Sequence, residues 1–370
     1  MVHKRGRALQ GNGTFLSALR TYKRPYKLDL GKHASHQQLA GRTSISLGNL
    51  GADFSCLSDA LAYEFFRDAG VPAPRTAYAR VFLSIDQKFS ERLLGLYVLV
   101  ENLDAQWTED VFGVKGVALF KPSTYELFYD LGEDWKAYEP IYDPKTPITE
   151  SQQRRVIELA RLVSRSGEDE FNRRIGEFID IDEFARFLAC EVLLAHYDGI
   201  LYQGQNFLLF LDPRSNKFGI IPWDQDHSWG EFPFVSTADQ RERASIWRPW
   251  ARHMRFLERL YASEDFKQVY RRELERILAT LFVPERLNRR IDELASVVRP
   301  AIAEESTNRV AKLEIAVSSE WRTGPRDGHP FDENRPVHQL KRFIGTRAQN
   351  VREQLDGKSD GVLLARQMGQ

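Results

Sequence analysis

The chain has 370 residues, 42% hydrophobic and 28% charged, with 52 basic side chains against 52 acidic ones. That length supports a substantial core in one large domain or two lobes, and the even charge balance argues against a dedicated nucleic-acid binder. No run of 18 apolar residues occurs, so no transmembrane segment is expected, and two cysteines, Cys56 and Cys190, make neither a disulfide framework nor a zinc knuckle.

The charge is uneven along the chain. Within residues 1–50, nine bases (Lys4, Arg5, Arg7, Arg20, Lys23, Arg24, Lys27, Lys32, Arg42) face one acid, Asp29, an excess of eight positive charges. Such a field attracts anions such as phosphates, though a solvated basic face has the same composition. The opening "MVHKRGR" reads as the end of a strand whose start is missing. It carries no apolar segment of a signal peptide, so localisation stays open. Gly6, Gly11 and Gly13 in "RGRALQGNGTF" suit a turn or a phosphate-covering loop.

In chain order, "YKRPYKLDL" (22–30) reads as a strand with Tyr26, Leu28 and Leu30 on one face and Lys23 and Lys27 on the other. "SDALAYEFFRDAG" (58–70) is a helix, N-capped by Ser58 and stopped at Gly70. Strands follow near 76–85, over "RLLGLYVLVENLD" to Glu101, and over "GVALFKP" to Lys121. Their short connections favour antiparallel pairing. After a polar, aromatic connector (122–148), Thr149 and Gln152 have capping-box spacing before a helix, and Asp180 with Glu183 opens a second, strongly apolar one. Beyond residue 230 helical patterns dominate. The expectation is an α+β fold of two lobes: a β-rich lobe over 1–125, truncated at its start, and a mainly helical lobe over 126–370.

The chemistry concentrates in "AHYDGILYQGQNFLLFLDPRSNKFGIIPWDQDHSWG" (195–230). Two apolar runs joined by "DPRSNK" have hairpin grammar, and the hairpin would bring Asp198, Asn206 and Asp224 to one end of the fold. Phosphoryl transfer from ATP needs such a set: a carboxylate to orient the attacking hydroxyl, and an Asn and a second Asp to hold Mg²⁺. In the protein-kinase template the order is His-x-Asp, Asn, hairpin, metal Asp. Here the Asp-to-Asn gap is eight residues rather than five, and Asp-Gln-Asp stands in place of Asp-Phe-Gly. On the same template one of Lys23 and Lys27 would contact the nucleotide phosphates, with Lys27 preferred because it lies in the regular strand. Glu64 would pair with that lysine and Glu101 would sit near the lobe connection. Asp224 and Asp226, pinned between apolar segments, call for a metal or other partners. His196 reads as a helix-end cap before it reads as a catalytic group, and His227 as a neighbour of an oxygen-ligated cation rather than a ligand.

These segments resemble the spore-coat CotH kinase family, secreted or surface-associated atypical protein kinases. The most specific match is "YDGILYQGQNFLLFLDPRSNKFGIIPWDQDHSWG", and "KRPYKLDL", "GLYVLVENLD", "LFKP" and "LKRFIGTRAQNVREQL" extend the likeness over roughly residues 4–356. The resemblance implies an atypical kinase fold and ATP-dependent phosphorylation of protein Ser or Thr with Mg²⁺ or Mn²⁺. Asp198 takes the catalytic role, Asp224, Asn206 and Asp226 the metal, and Lys27 or Lys23 the nucleotide, with Lys121 a further nucleotide candidate. Arg24 stands where the family often has a second Lys. The expected partner is a protein substrate, Ser-rich and basic. Two alternatives come from other classes: a nucleotide-sugar transferase built on Asp224-Gln225-Asp226, and a non-catalytic assembly protein that kept the fold.

Overall fold

The computed structural model describes residues 2–4, 22–32, 37–323, 326, 328 and 334–365; the glycine-bearing stretch 5–15 lies outside them. The fold is α+β, with helices and two antiparallel sheets. The chain divides into two compact units, Met1–Tyr63 with Pro74–Asn102 and Pro284–Ile344, and Glu64–Ala73 with Leu103–Val283 and Gly345–Gln370.

The first unit holds a five-stranded sheet of β1 (Val2–Lys4), β2 (Tyr26–Asp29), β3 (Ser44–Gly48), β4 (Thr76–Ile85) and β5 (Phe89–Glu101), in the order β1-β2-β3-β5-β4. Alternation along β2 sends Tyr26 and Leu28 against a core of Leu47, Leu94 and Tyr97, while Lys27 stands opposite His3 and Ser46 in the register. In β5, Gly95 adopts φ +116°, and a Cβ there would lie 2.2 Å from Glu305 Oε2. The vacant position lets the Glu305 carboxylate, at the end of the helix Pro284–Glu305, accept the Leu96 amide (3.1 Å). The same carboxylate takes Lys23 Nζ (2.5 Å) and Arg309 Nη1 (2.8 Å), so the sheet is pinned to its helices by an ion cluster. The helix Ser58–Ala69 starts where the sequence puts it, but its cap lies further upstream: Asp53 Oδ2 accepts the Ser58 amide (2.8 Å) and Ser55 Oγ the Leu57 amide (3.0 Å).

The second unit is built on a three-stranded sheet, β6 (Ala118–Phe120), β7 (Phe207–Asp212) and β8 (Lys217–Pro222). β7 and β8 form the expected hairpin. β6, which sequence order assigned to the first β layer, instead pairs with β7 through Ala118↔Leu211, Leu119↔Phe210 and Phe120↔Leu209. A fully buried three-residue strand has no alternation to declare its partner; burial decides it. Thr149 and Gln152 do form a capping box on the helix Glu150–Arg165. The helical run 255–282 is broken at Ser263, which closes Arg255–Ala262 and caps Glu264–Thr280 through the Phe266 amide. Among the described residues no helix is long and apolar enough to cross a membrane.

The helix Ile181–Leu194 is capped by Asp180, whose side chain accepts the Glu183 amide. Glu183 itself faces β8, where its Oε1 accepts the Ile220 amide (3.2 Å) beside Gly219, whose missing side chain leaves the room. Burial pushes this carboxyl up to about 8 from its ordinary 4.5, despite the Ile220 bond. The folded protein therefore keeps a proton that the unfolded chain releases, and this group's contribution to stability falls as pH rises from about 4.5 to about 8. Glu183→Gln keeps the acceptor and removes the titration. Chemical denaturation across pH 4–9 should find the variant gaining on wild type by about 2–4 kcal/mol over that window. A constant difference would refute the buried carboxyl.

Candidate active site

The site grows from the end of the helix Ile181–Leu194. Ala195 stops it in a left-handed conformation, φ +46°, and the chain turns so that His196 and Tyr197 are buried and Asp198 reaches the loop. Two fully buried arginines fix the frame. Arg347 donates to Val192 O (2.8 Å) and Ala244 O (2.6 Å), and Arg241 donates to Gly230 O (2.7 Å) and Val235 O (2.9 Å). Gly230 N returns a bond to Leu194 O (2.9 Å), joining the helix end to the segment that follows the acids.

Asn206 and Asp224 flank the hairpin at one end, both with positive φ (+59° and +51°). Asn and Asp tolerate this region better than other side chains. The Trp223 amide donates to Asn206 O (3.0 Å), which closes that end of the sheet. Lys121 follows β6 at the same end, with Nζ 5.4 Å from the centre of the Trp223 ring.

Asp198 receives one amide on each oxygen: Gln205 Nε2 to Oδ1 (3.0 Å) and Asn206 Nδ2 to Oδ2 (2.8 Å). Ligand atoms of Asp198, Asp226 and His227 all lie within 4.8 Å of one another, a spacing that a metal ion can bridge. Asp224 stands outside that trio, yet its charge is felt at Asp198. Burial, with Asp224 adding, pushes the Asp198 carboxyl above its ordinary value even though His227 and His196 oppose the rise. His227 Nδ1 is bonded to Glu231. Burial works against its charge, but Glu231, Asp226 and Asp198 together overcome that and push the imidazole up to about 10. At neutral pH it is an imidazolium among carboxylates.

Beneath this layer lies a second one with no solvent access. His196 Nδ1 sits 3.1 Å from Glu191 Oε2 and 3.1 Å from Gln225 Nε2, and each of the three residues is at most 1% exposed. Gly199 packs directly on it: a Cβ there would lie 2.7 Å from His196 Nδ1 and 2.8 Å from Glu191 Oε2. The Asp-Gly pair thus reflects close packing as well as a turn.

Residues 8–351 match a family model described as CotH kinase protein. The chain belongs to the CotH kinase family. Among curated proteins it is similar to inner spore coat protein H of Bacillus subtilis (strain 168), 24% identical over 266 residues that cover 71% of this chain and 69% of the relative.

In this CotH chain the remaining candidates are distributed between the two units. Glu64, in the helix Ser58–Ala69, and Lys121 belong to the unit that carries Asp198, whereas Lys23, Lys27 and Glu101 belong to the other. Lys23 is committed to Glu305, and burial, with Arg309 adding, lowers its amine to about 8. The Lys27 side chain makes no hydrogen bond or ion pair among the described residues. Glu101 accepts from Arg75 (2.5 Å) and Arg42 (3.1 Å); burial opposes its charge, but these arginines hold the carboxyl below its ordinary range. Sequence reasoning passed over Gln205, Glu231 and the Glu191–His196–Gln225 network. Two signals were present: a lone acid, Glu191, in the apolar run "FLACEVLL", and Glu231 four residues after His227.

Gly199→Ala should drive a methyl group into the Glu191–His196 pair. The expected loss of stability is about 1–3 kcal/mol, read by thermal or urea unfolding. A wild-type melting curve would mean that the loop does not rest on the buried pair.

Proposed function

We propose that this CotH-family protein is a kinase that transfers the γ-phosphate of ATP to a Ser or Thr hydroxyl of a protein substrate, with Mg²⁺ or Mn²⁺. The observation that carries the proposal is the convergence of Asp198, Asp226 and His227 within 4.8 Å, with Asn206 bonded to Asp198. The oxygen donors proposed for a hard cation are Asp226, from that group, with Asp224 and the amide oxygen of Asn206 from the adjoining end of the hairpin. A hard cation prefers oxygen donors, so His227, whose imidazole the surrounding carboxylates push up, is assigned to charge balance. A bound divalent ion supplies neutralisation of the triphosphate.

Within that frame Asp198 orients the substrate hydroxyl and receives its proton as the oxygen bonds to the γ-phosphorus and the bond to the ADP oxygen breaks. Gln205 and Asn206 hold both Asp198 oxygens and set its direction. Lys27, uncommitted where Lys23 is bound, is the nucleotide lysine of choice, and Lys121 is the second, placed at the Asp224 end of its own sheet. Positioning and charge neutralisation supply most of the rate in such a reaction. The nucleotide-sugar transferase alternative expected a parallel sheet, and both sheets are antiparallel.

Transfer of label from [γ-³²P]ATP to a Ser-rich basic peptide, or to the protein itself, is the expected activity. Asp198→Asn should cut turnover about 100-fold or more while leaving nucleotide-induced thermal stabilisation intact. Asp224→Asn should lose turnover and the metal-dependent part of that stabilisation together. Wild-type turnover in both variants would refute the role assignments. Absence of any transfer by the unmodified protein would favour a non-catalytic member of the family.

A further inference from the structure

One arginine of the second unit stands apart from its neighbours. Arg255 and Arg259 donate to Val163 O (3.0 and 2.7 Å), and Arg241 and Arg347 are consumed by backbone carbonyls. Arg252 makes no hydrogen bond or ion pair among the described residues. Its guanidinium instead lies between two rings, 3.8 Å from the centre of Tyr125 and 4.5 Å from that of Tyr202. Tyr202 is buried and Tyr125 is 46% exposed, so one side of the sandwich is fixed in the fold and the other meets solvent.

The sandwich is tied to the Asp198 loop. Ala251 N donates to Leu201 O (3.1 Å), and Tyr125 Oη donates to Gln203 Oε1 (3.3 Å), two residues before the Gln205 that holds Asp198. Ring contacts also run from Tyr202 to Phe232 (6.2 Å) and from Phe232 to His227 (5.5 Å). Stacking fixes the plane of a guanidinium while leaving its N–H edges available, and those edges match the paired oxygens of a phosphate or carboxylate. Much of the entropy cost of ordering the side chain is met before a ligand arrives.

We propose that Arg252 is an anchor for an oxyanion on the protein substrate, set beside the hydroxyl to be modified. This rests on the kinase reading above for the identity of the substrate. In a Ser-rich, basic segment the oxyanion at hand is the phosphate of a serine already modified, which makes phosphorylation sequential along the segment. A substrate carboxylate has the same chemistry and is the other source.

The test measures binding without nucleotide or metal, using the full chain and three fluorescent peptides of one Ser-rich basic sequence: unmodified, with one phosphoserine, and with that serine replaced by aspartate. Fluorescence anisotropy should show the phosphoserine peptide binding about tenfold or more tightly than the unmodified one. Arg252→Gln and Arg252→Lys should both lose that preference with melting temperatures unchanged, since a lysine keeps the charge but not the planar fork. Equally tight binding of the aspartate peptide would support the anchor and assign the anion to an acidic side chain. Equal affinity of wild type for all three peptides, or a preference that survives in Arg252→Gln, would overturn the proposal. γ-Phosphate transfer is followed in the same preparation. Discrimination without transfer keeps the anchor and refutes the kinase, whereas transfer without discrimination does the opposite.

Discussion

Glu191, His196 and Gln225 come from three different stretches of chain, a helix, the loop after it and the segment after β8, and meet where water does not reach. Burying an acid and an imidazole together is costly unless each satisfies the other. The Nδ1–Glu191 contact meets that demand on one side of the ring, while His196 Nε2 is buried with no hydrogen-bond partner among the described residues. The acids above inherit their positions from this network, because Asp198 lies two residues after His196 and Gly199 rests on the pair, while Asp224 and Asp226 flank Gln225. Arg347 and Arg241 secure the same segments from outside by their carbonyls.

The layer above has the opposite character. Ligand atoms of Asp198 and Asp226 lie within 4.8 Å of His227, Asp224 adds its charge at Asp198, and the imidazoles of His227 (itself held by Glu231) and His196 oppose that charge. Burial, with the charge of Asp224 adding to it, raises the proton affinity of Asp198. Oxygen donors in a negative field of this kind suit a divalent cation. Two left-handed residues in succession, Trp229 (φ +62°) and Gly230 (φ +74°), turn the chain away directly afterwards. A tryptophan in that conformation costs about 1–3 kcal/mol, and its complete burial against Phe65 and Phe282 offsets the strain.

Local signals in the sequence were legible. The hairpin followed from two apolar runs around "DPRSNK", the capping box from Thr149 and Gln152, and the alternation of β2 from Tyr26 and Leu28. What escaped was decided at long range. β3 is five residues with only two apolar side chains, and β6 has three residues, too few for periodicity to name a partner. Lys23 and Lys27 look alike as text, four residues apart. Glu305, some 282 positions along the chain from Lys23, distinguishes them by binding one and leaving the other. His227 was set aside on ligand preference, and the fold brings its ring within 4.8 Å of ligand atoms of Asp198 and Asp226.

The central claim is that loop and hairpin carboxylates converge to hold a divalent ion for the nucleotide. The most direct measurement is a Mn²⁺ titration in the presence of ATP, with free ion followed by electron paramagnetic resonance, in wild type and in Asp226→Asn. The account predicts a bound ion in the wild type and an affinity lower by about tenfold or more in the variant. Undiminished Mn²⁺ binding by Asp226→Asn would contradict it.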